Sequence, residues 1–101
     1  MRIYFADDPI LAEIAWCESS FRHYDVDGKV IRGFVNSSDI GVMQINEYYH
    51  GDTAEKLGYN LHRLMDNLAY AKNLYEREGV RPWQASRNCW AKHEQEKFVQ
   101  R

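Results

Sequence analysis

The stretch from Tyr24 to Val35 most constrains the fold, because it separates two helical patterns with residues that are typical of strands. Asp27 and Gly28 form a pair that favours a tight hairpin turn. Four strand-forming residues follow this pair: Val30, Ile31, Phe34 and Val35. We therefore predict a small antiparallel hairpin or three-stranded sheet between helices, in a mainly α chain of the α+β class.

The first helical pattern follows Asp8 and Pro9, which are an N-cap residue and a proline suited to the first helical position. These signals predict a helix over residues 9–21. Its apolar residues recur at helical spacing: Ile10, Leu11, Ile14, Ala15, Cys17 and Phe21.

Two further helices are predicted after the strand-forming stretch. Asp52 and Glu55 resemble a capping box that opens a short helix, and Gly58 is suited to end it. Asn60 is predicted to cap a longer helix that ends at Gly79. The apolar stripe of that helix contains Leu61, Leu64, Met65, Leu68, Ala71 and Tyr75.

The last predicted element begins at Pro82 and contains two tryptophans and a cysteine. The tail from residue 91 to 101 is mostly polar, and we predict a fraying helix there. A chain of 101 residues is expected to form a single domain over residues 1–101.

Composition argues against several classes of partner. Lys and Arg total 13 against 15 for Asp and Glu, so a net charge of -2 provides no basic excess for binding a phosphate backbone. No apolar run reaches the roughly 18 residues that a transmembrane helix needs, and the N-terminal residues lack the apolar stretch of a signal peptide. We therefore expect a soluble chain with no nucleic-acid partner and no membrane span.

Glu18 is the first candidate catalytic residue. It follows Ile14 by four residues and Leu11 by seven, which places its carboxylate beside the apolar face of the first helix, whereas Glu13 points away. A carboxyl group desolvated by apolar neighbours has a raised pKa, which suits a general acid near neutral pH. Alternatively, Glu18 only ends the helix and reaches solvent or an ion pair.

Short motifs lie on both sides of the strand-forming stretch: Glu18-Ser19 before it and Gly41-Val42-Met43-Gln44 after it. Together with Asn67 and Ala71, they resemble the soluble lytic transglycosylase (SLT) domains of the lysozyme-like superfamily. Those domains carry a catalytic glutamate in a Glu-Ser pair and a Gly-Leu-Met-Gln motif, in which this chain replaces only Leu by Val. The resemblance spans about residues 10–90 and implies a lysozyme-like fold.

The resemblance also implies a peptidoglycan muramidase that cleaves the β-1,4 bond between N-acetylmuramic acid and N-acetylglucosamine. Glu18 would protonate the glycosidic oxygen and then, as the carboxylate, remove a proton from the C6 hydroxyl of the muramoyl residue, leaving a 1,6-anhydromuramoyl end. Met43, Gln44 and Asn46 would line the sugar cleft, and Ser19 would support the helix end beside the substrate. No cofactor or metal is implied, and the expected partner is the peptidoglycan glycan strand.

Two motif residues are predicted to have structural roles. Asn67 would fix the long helix against the floor of the cleft. Gly41 would allow a turn or a close approach of backbones.

The family pattern includes tyrosines that this chain lacks at the matching positions. Leu74 stands where the long helix usually has a tyrosine, and the C-terminal segment departs from the family's Ala-Tyr-Asn-Ala-Gly pattern. The candidates for the missing contact with Glu18 are Tyr70, Tyr75 and Trp83. Each of the three could instead pack in the core.

Asp39 leaves a second mechanism open. The segment from Ser38 to Asn46 also resembles the strand of animal c-type lysozymes in which an aspartate is the second catalytic carboxylate. Asp39 could then act as nucleophile or stabilise the oxocarbenium ion, which would make the enzyme a hydrolase, or it could only brace the hairpin. A catalytically silent glycan-binding module that retains the cleft is a third alternative.

Cys17 and Cys89 are either bonded to each other or two buried thiols, since their separation of 72 positions matches no zinc-ligand spacing. The resemblance favours the disulfide, because cell-wall enzymes work where disulfides persist. We therefore expect an extracytoplasmic monomer that is periplasmic, secreted or phage-associated.

Overall fold

A computed structural model of the protein describes residues 1–94. Within those residues, helices surround one two-stranded antiparallel sheet, which confirms the predicted α+β class. In chain order the elements are α1 (Pro9–Ser19), β1 (Asp39–Ile40), β2 (Ile45–Asn46), α2 (Glu47–Lys56), α3 (Leu64–Glu78), a 3-10 helix (Arg81–Ser86), α4 (Arg87–Trp90) and a second 3-10 helix (Ala91–His93).

Helix α1 begins at Pro9 as predicted, although the side chain of Asp8 makes no capping hydrogen bond. The helix ends at Ser19, earlier than predicted, because Ser20 and Phe21 adopt left-handed backbone conformations with φ of 55° and 65°. Its buried face packs into the core through Ile10, Leu11, Ala12, Ile14, Ala15 and Ser19.

The predicted strands between residues 24 and 35 do not form. That stretch contributes isolated bridges, Tyr24 to Val30 and Arg32 to Ile40, and the regular sheet pairs β1 with β2 farther along the chain. The side chain of Asp25 accepts hydrogen bonds from the backbone N–H groups of Asp27 and Lys29, so these donors are satisfied locally rather than by a ladder.

The predicted turn itself is present. Gly28 has φ of 80°, and its N–H donates to the Asp25 carbonyl. Phe34 and Val35, predicted as strand residues, are instead fully exposed.

Helix α2 begins at Glu47 rather than at Asp52. Asn46 caps it, because the Asn46 side chain accepts a hydrogen bond from the N–H of Tyr49. Asp52 therefore lies inside the helix and forms no capping box. The prediction for the other end is confirmed, since Gly58, with φ of 87°, follows the helix.

Helix α3 begins at Leu64, and Asn60 does not cap it. The Asn60 side chain accepts from the N–H of His62 in a local turn that precedes the helix. The predicted end at Gly79 is confirmed. One residue of the predicted stripe, Met65, is 57% exposed; the helix buries Asn67, Leu68, Tyr70, Ala71 and Leu74.

The C-terminal elements are held against α1 by a disulfide bond between Cys17 and Cys89. Pro82 lies at the start of the 3-10 helix, in agreement with the predicted element, and both Trp83 and Trp90 are buried. The predicted fraying helix of the tail falls mostly on residues 95–101, which lie outside the described residues.

No helix within residues 1–94 combines the length and the apolar character that crossing a membrane requires.

Candidate active site

Glu18 lies in the last turn of α1, where two pockets adjoin. The wide pocket, of about 850 Å³, is bounded by the loop after α1 and the bridges around Arg32. The narrow pocket, of about 300 Å³, is bounded by β1, β2 and the 3-10 helix that contains Trp83. Both pockets are lined by Glu18 and Gln44, so these two residues lie at the junction of the pockets.

The environment of Glu18 favours its protonated form. Burial is the largest influence and raises the pKa of the carboxyl group above its ordinary value of 4.5. A hydrogen bond from the Ser86 hydroxyl lowers the pKa by less, and the charge of Asp39 raises it. Glu18 can therefore hold a proton at a higher pH than an exposed glutamate does.

Ser86 is a site residue that sequence analysis missed. Its Oγ donates to Oε2 of Glu18 at 2.5 Å, and it accepts from Nε1 of Trp90 at 2.9 Å. Ser86 and Glu18 are 68 positions apart, and no periodicity or motif connects them. The disulfide was the one available signal, because bonding Cys17 to Cys89 brings their sequence neighbours together.

Asp39 lines the narrow pocket together with Glu18. It lies on β1 directly opposite Asn46 on β2. Burial raises the pKa of Asp39, and a hydrogen bond from the Asn46 side chain lowers it by less. The pocket thus contains two carboxyl groups whose charged forms are both disfavoured, and the Asp39 charge contributes to the raised pKa of Glu18.

The segment from Gly41 to Gln44 is fixed by Asn67, which is fully buried in α3. Its Oδ1 accepts from the N–H of Met43, and its Nδ2 donates to the carbonyls of Ile40 and Leu61. This geometry agrees with the predicted structural role of Asn67, because one amide satisfies three buried backbone groups.

Gly41 is required by both conformation and space. Its φ is 78°, and a Cβ there would lie 2.4 Å from Nδ2 of Asn67 and 2.6 Å from Cε1 of His23. The predicted close approach of backbones at Gly41 is therefore observed as a close approach of two side chains to its Cα.

His23 supports the same segment from the opposite side. Its Nδ1 accepts from the N–H of Val42 at 3.0 Å, so Nε2 carries the hydrogen and donates to the His62 carbonyl at 2.8 Å. Burial lowers the pKa of His23, which keeps the ring neutral in this tautomer. His23 thus binds the backbone and not a ligand.

Four of the predicted site residues line a pocket: Ser19, Gln44, Asn46 and Trp83. Gln44 lines both pockets, with a left-handed φ of 50° and its Nε2 donating to the Gly41 carbonyl. Asn46 and Trp83 line the narrow pocket. The indole N–H of Trp83 donates to the Met43 carbonyl and Trp83 is buried, so it forms part of the pocket wall without offering the pocket a donor.

One predicted cleft residue, Met43, is corrected by its burial. Met43 is fully buried and lines neither pocket; its backbone N–H and carbonyl are both bonded within the protein. Ser19 is also buried, and its Oγ contacts the carbonyls of Ala15 and Val42 at 3.0 and 2.7 Å. The Ser19 hydroxyl therefore ties α1 to the Val42 segment, in agreement with support of the helix end, and the residue also borders the wide pocket.

The two candidate tyrosines line neither of the pockets that Glu18 borders. Tyr70 is fully buried, and its hydroxyl contacts Nδ1 of His50 and the guanidinium of Arg77. Tyr75 lies near Asp8 at the other end of α1, where burial raises the pKa of its phenol. Tyr70 therefore packs in the core instead of making the predicted contact with Glu18, because its aromatic ring fills the space between α3 and α2.

Leu74 and His50 occupy the wall of the narrow pocket that the tyrosines do not reach. His50 is a second residue that sequence analysis did not place in the site. Burial lowers the pKa of His50, so it lines the pocket as a neutral ring.

Within the described part of the chain, no group of three or more His, Cys, Asp or Glu side chains is arranged to hold a metal ion. The described polar groups at the two pockets are carboxyls, amides, hydroxyls and cationic side chains. This set is suited to proton transfer and to hydrogen bonding of a polar ligand.

Comparison with known proteins gives no match: no protein-family model, no curated protein and no solved structure matches this chain. The resemblance to the lytic transglycosylase domains therefore rests on the sequence motifs alone.

Proposed function

We propose that the protein is a peptidoglycan muramidase with a lysozyme-like fold, and that it acts as a lytic transglycosylase. The observation that carries the proposal is the position of Glu18, a half-buried carboxyl group with a raised pKa at the junction of two pockets. Together with the Glu18-Ser19 and Gly41-Val42-Met43-Gln44 motifs, this position supports a role for Glu18 as the acid that acts on a polymeric substrate.

The reaction requires one group that first gives and then takes a proton. Glu18 protonates the glycosidic oxygen as the bond between N-acetylmuramic acid and N-acetylglucosamine breaks. The resulting carboxylate then removes the proton from the C6 hydroxyl of the muramoyl residue, whose oxygen bonds to C1 of the same sugar. The products are a 1,6-anhydromuramoyl end and a free N-acetylglucosamine end, and no water is consumed.

The two pockets are consistent with a polymeric substrate. A glycan strand needs binding surface on both sides of the bond that is cleaved, and Glu18 has a pocket on each side. The narrow pocket offers the Asn46 amide, which suits the hydroxyl groups of a sugar, and the exposed ring of Tyr49, which suits its apolar face. The wide pocket offers charged groups that include Arg22 and Lys29.

A hydrolytic lysozyme is the second candidate, and the shared pocket of Glu18 and Asp39 is the observation that favours it. A retaining glycosidase needs a second carboxylate as nucleophile or stabiliser. We place the transglycosylase first, with Glu18 as the single acid and base, because the Glu18-Ser19 and Gly41-Val42-Met43-Gln44 motifs resemble those of the transglycosylase domains.

We further propose that the protein acts outside the cytoplasm, in the periplasm, as a secreted protein or with a phage particle. The disulfide between Cys17 and Cys89 supports this location, because such bonds persist in oxidising compartments.

The test is incubation with purified sacculi, followed by mass spectrometry of the released muropeptides before any chemical reduction. We expect 1,6-anhydromuramoyl ends from the wild type and at least about 100-fold less release from Glu18→Gln, because the amide cannot donate and reclaim the proton. Glu13→Gln is the matched control, since Glu13 lies on the same helix and pairs with Arg2 and His93 instead of lining a pocket.

The other outcomes separate the alternatives. Reducing muramic acid ends would establish the hydrolase and assign Asp39 the second role. Binding to sacculi without any release would leave a glycan-binding module, and activity of Glu18→Gln near that of the wild type would move the acid to another residue.

A further inference from the structure

The Ser86 hydroxyl connects the Glu18 carboxyl group to groups of the protein core. Nε1 of Trp90 is 2.9 Å from Oγ of Ser86, and that oxygen is 2.5 Å from Oε2 of Glu18. The carbonyl of Trp83 lies 3.2 Å from the same Ser86 oxygen. Trp90 is fully buried and Ser86 is half-buried, so this line of contacts runs from the core to the junction of the two pockets.

The direction of each hydrogen bond follows from the chemistry of the groups. An indole N–H can only donate, so Ser86 accepts from Trp90 and keeps its single O–H for another acceptor. Two acceptors are within reach, Oε2 of Glu18 and the carbonyl of Trp83. The carboxylate oxygen is both closer and charged, and a charged acceptor forms the stronger hydrogen bond. The Ser86 hydroxyl therefore points at Glu18.

We propose that Ser86 is a positioning residue that holds Oε2 of Glu18 and leaves Oε1 to carry the exchangeable proton. The inference deepens the proposed function and rests on it, since it assumes that Glu18 gives and takes a proton. A proton on Oε1 leaves the bond from Ser86 to Oε2 intact, so the carboxyl group keeps one orientation when it is charged and when it is neutral. Trp90 fixes the serine from behind in both states.

The disulfide connects the two sides of this arrangement. Cys17 immediately precedes Glu18, and Cys89 immediately precedes Trp90, so the bond ties the acceptor to the segment that carries the donors. Ser86 itself lies at the end of the 3-10 helix that contains Trp83. One covalent bond thus fixes a proton-carrying group relative to the hydroxyl that orients it.

The test follows two NMR signals in the substrate-free protein, the carboxyl carbon of Glu18 and the indole N–H of Trp90. In the wild type we expect both signals to titrate with the same midpoint, because Ser86 links the two groups. In Ser86→Ala we expect the Glu18 midpoint to rise by about 1 pH unit, since a donor to the carboxylate is lost, and the Trp90 signal to stop following Glu18. Ser86→Thr, which keeps a hydroxyl, is expected to restore both behaviours.

Ser37→Ala is the matched control, because it removes a hydroxyl from an exposed loop and is expected to leave both signals unchanged. An identical Glu18 midpoint in Ser86→Ala and the wild type would overturn the proposal, as would a Trp90 signal that follows Glu18 without the serine hydroxyl. Should Ser86→Ala not fold, Trp90→Phe replaces it: this variant removes the indole N–H donor together with part of a fully buried ring, so a Glu18 midpoint that rises by less than 1 pH unit is expected in the folded variant and an unchanged one contradicts the proposal.

The titration requires no substrate, so its outcome is independent of muramidase activity. A wild type that releases no muropeptides but shows the coupled titration would refute the proposed function and retain Ser86 as the group that orients Glu18. In an active enzyme, Ser86→Ala is expected to lower kcat more than it changes KM and to move the alkaline limb of the pH–rate profile upward by about 1 pH unit, because Glu18 stays protonated to a higher pH.

Discussion

At the scale of single residues, the burial of Glu18 is expected to lower the stability of the folded protein while favouring the proposed catalysis. Burial disfavours the carboxylate, so the folded protein holds the Glu18 proton more tightly than the unfolded chain does. The same burial lets Glu18 remain protonated toward neutral pH, as a general acid requires. Glu18, which suits the proposed reaction, is therefore expected to reduce the free energy of unfolding when its carboxyl group is charged.

This argument predicts a pH-dependent stabilisation by Glu18→Gln. Below the ordinary pKa of 4.5 the carboxyl group is protonated in both the folded and unfolded states, so the variant and the wild type are expected to melt at similar temperatures. As the pH rises from 4.5 through the raised pKa, the wild type loses stability that the neutral amide keeps. Scanning calorimetry at pH 4 and pH 7 checks this, with a higher melting temperature of the variant expected only at pH 7. A variant that melts lower than the wild type at pH 7 would contradict it.

Asp39 is the second residue whose replacement separates two roles. Under the proposed mechanism Asp39 only braces β1 against Asn46, so Asp39→Asn is expected to keep muropeptide release within about 10-fold of the wild type and to yield the same anhydro ends. Loss of nearly all activity with an unchanged melting temperature would instead favour the hydrolase. The product ends and the melting temperature are measured on the same preparation.

At the scale of elements, Gly41 decides whether the motif segment can lie between α3 and the loop after α1. Gly28 and Gly41 have nearly the same left-handed φ, 80° and 78°, but only Gly41 has side chains where a Cβ would be. We expect Gly28→Ala to cost about 1 kcal/mol for the conformation alone, and Gly41→Ala to cost at least about 2 kcal/mol more because Asn67 and His23 must move. Urea unfolding of both variants gives the difference directly. Equal losses of unfolding free energy in the two variants would show that the close approach of Asn67 and His23 to Gly41 adds nothing to the cost of the substitution.

Sequence patterns predicted elements well where local signals acted alone. The starts and ends set by Pro9, Gly58 and Gly79 are observed, because a proline at the first helical position and a glycine after the last turn act through their own backbone conformations. The prediction was wrong where two local signals competed. Asn46 caps α2 before Asp52 can open a helix, and the Asp25 side chain binds backbone groups that a strand would have used.

The candidate site was predicted only in part, because local patterns mark some of its residues and not others. Helical spacing placed Glu18 beside an apolar face, and the motifs placed Gln44 and Asn46 near it. Ser86 and His50 reach the site only through packing between distant segments, and no local pattern encodes that packing. The burial of Tyr70 likewise depends on how α3 packs against neighbouring elements. The sequence alone therefore could not distinguish a core position of Tyr70 from a position in the site.

At the scale of the whole molecule, one covalent bond carries both stability and site geometry. The bond between Cys17 and Cys89 closes a loop of 72 positions, which on the chain-entropy model stabilises the fold by about 4 kcal/mol. It also joins the Glu18 end of α1 to the segment that contains Ser86 and Trp90. Stability and activity are therefore expected to fall together when the bond is absent.

Replacing both cysteines by serine tests this coupling. We expect the double variant to lose about 4 kcal/mol of unfolding free energy in urea and, under conditions where it is still folded, to release muropeptides more slowly because Ser86 is no longer held against Glu18. Reduction of the wild type with a thiol reagent is expected to reproduce both losses, and the same reagent is expected to leave the double variant unchanged. If the double variant kept full activity while losing stability, the bond would serve the fold alone. If it lost neither, the Glu18 end of α1 would be positioned by the buried contacts of Trp90 and Ser19 without covalent help.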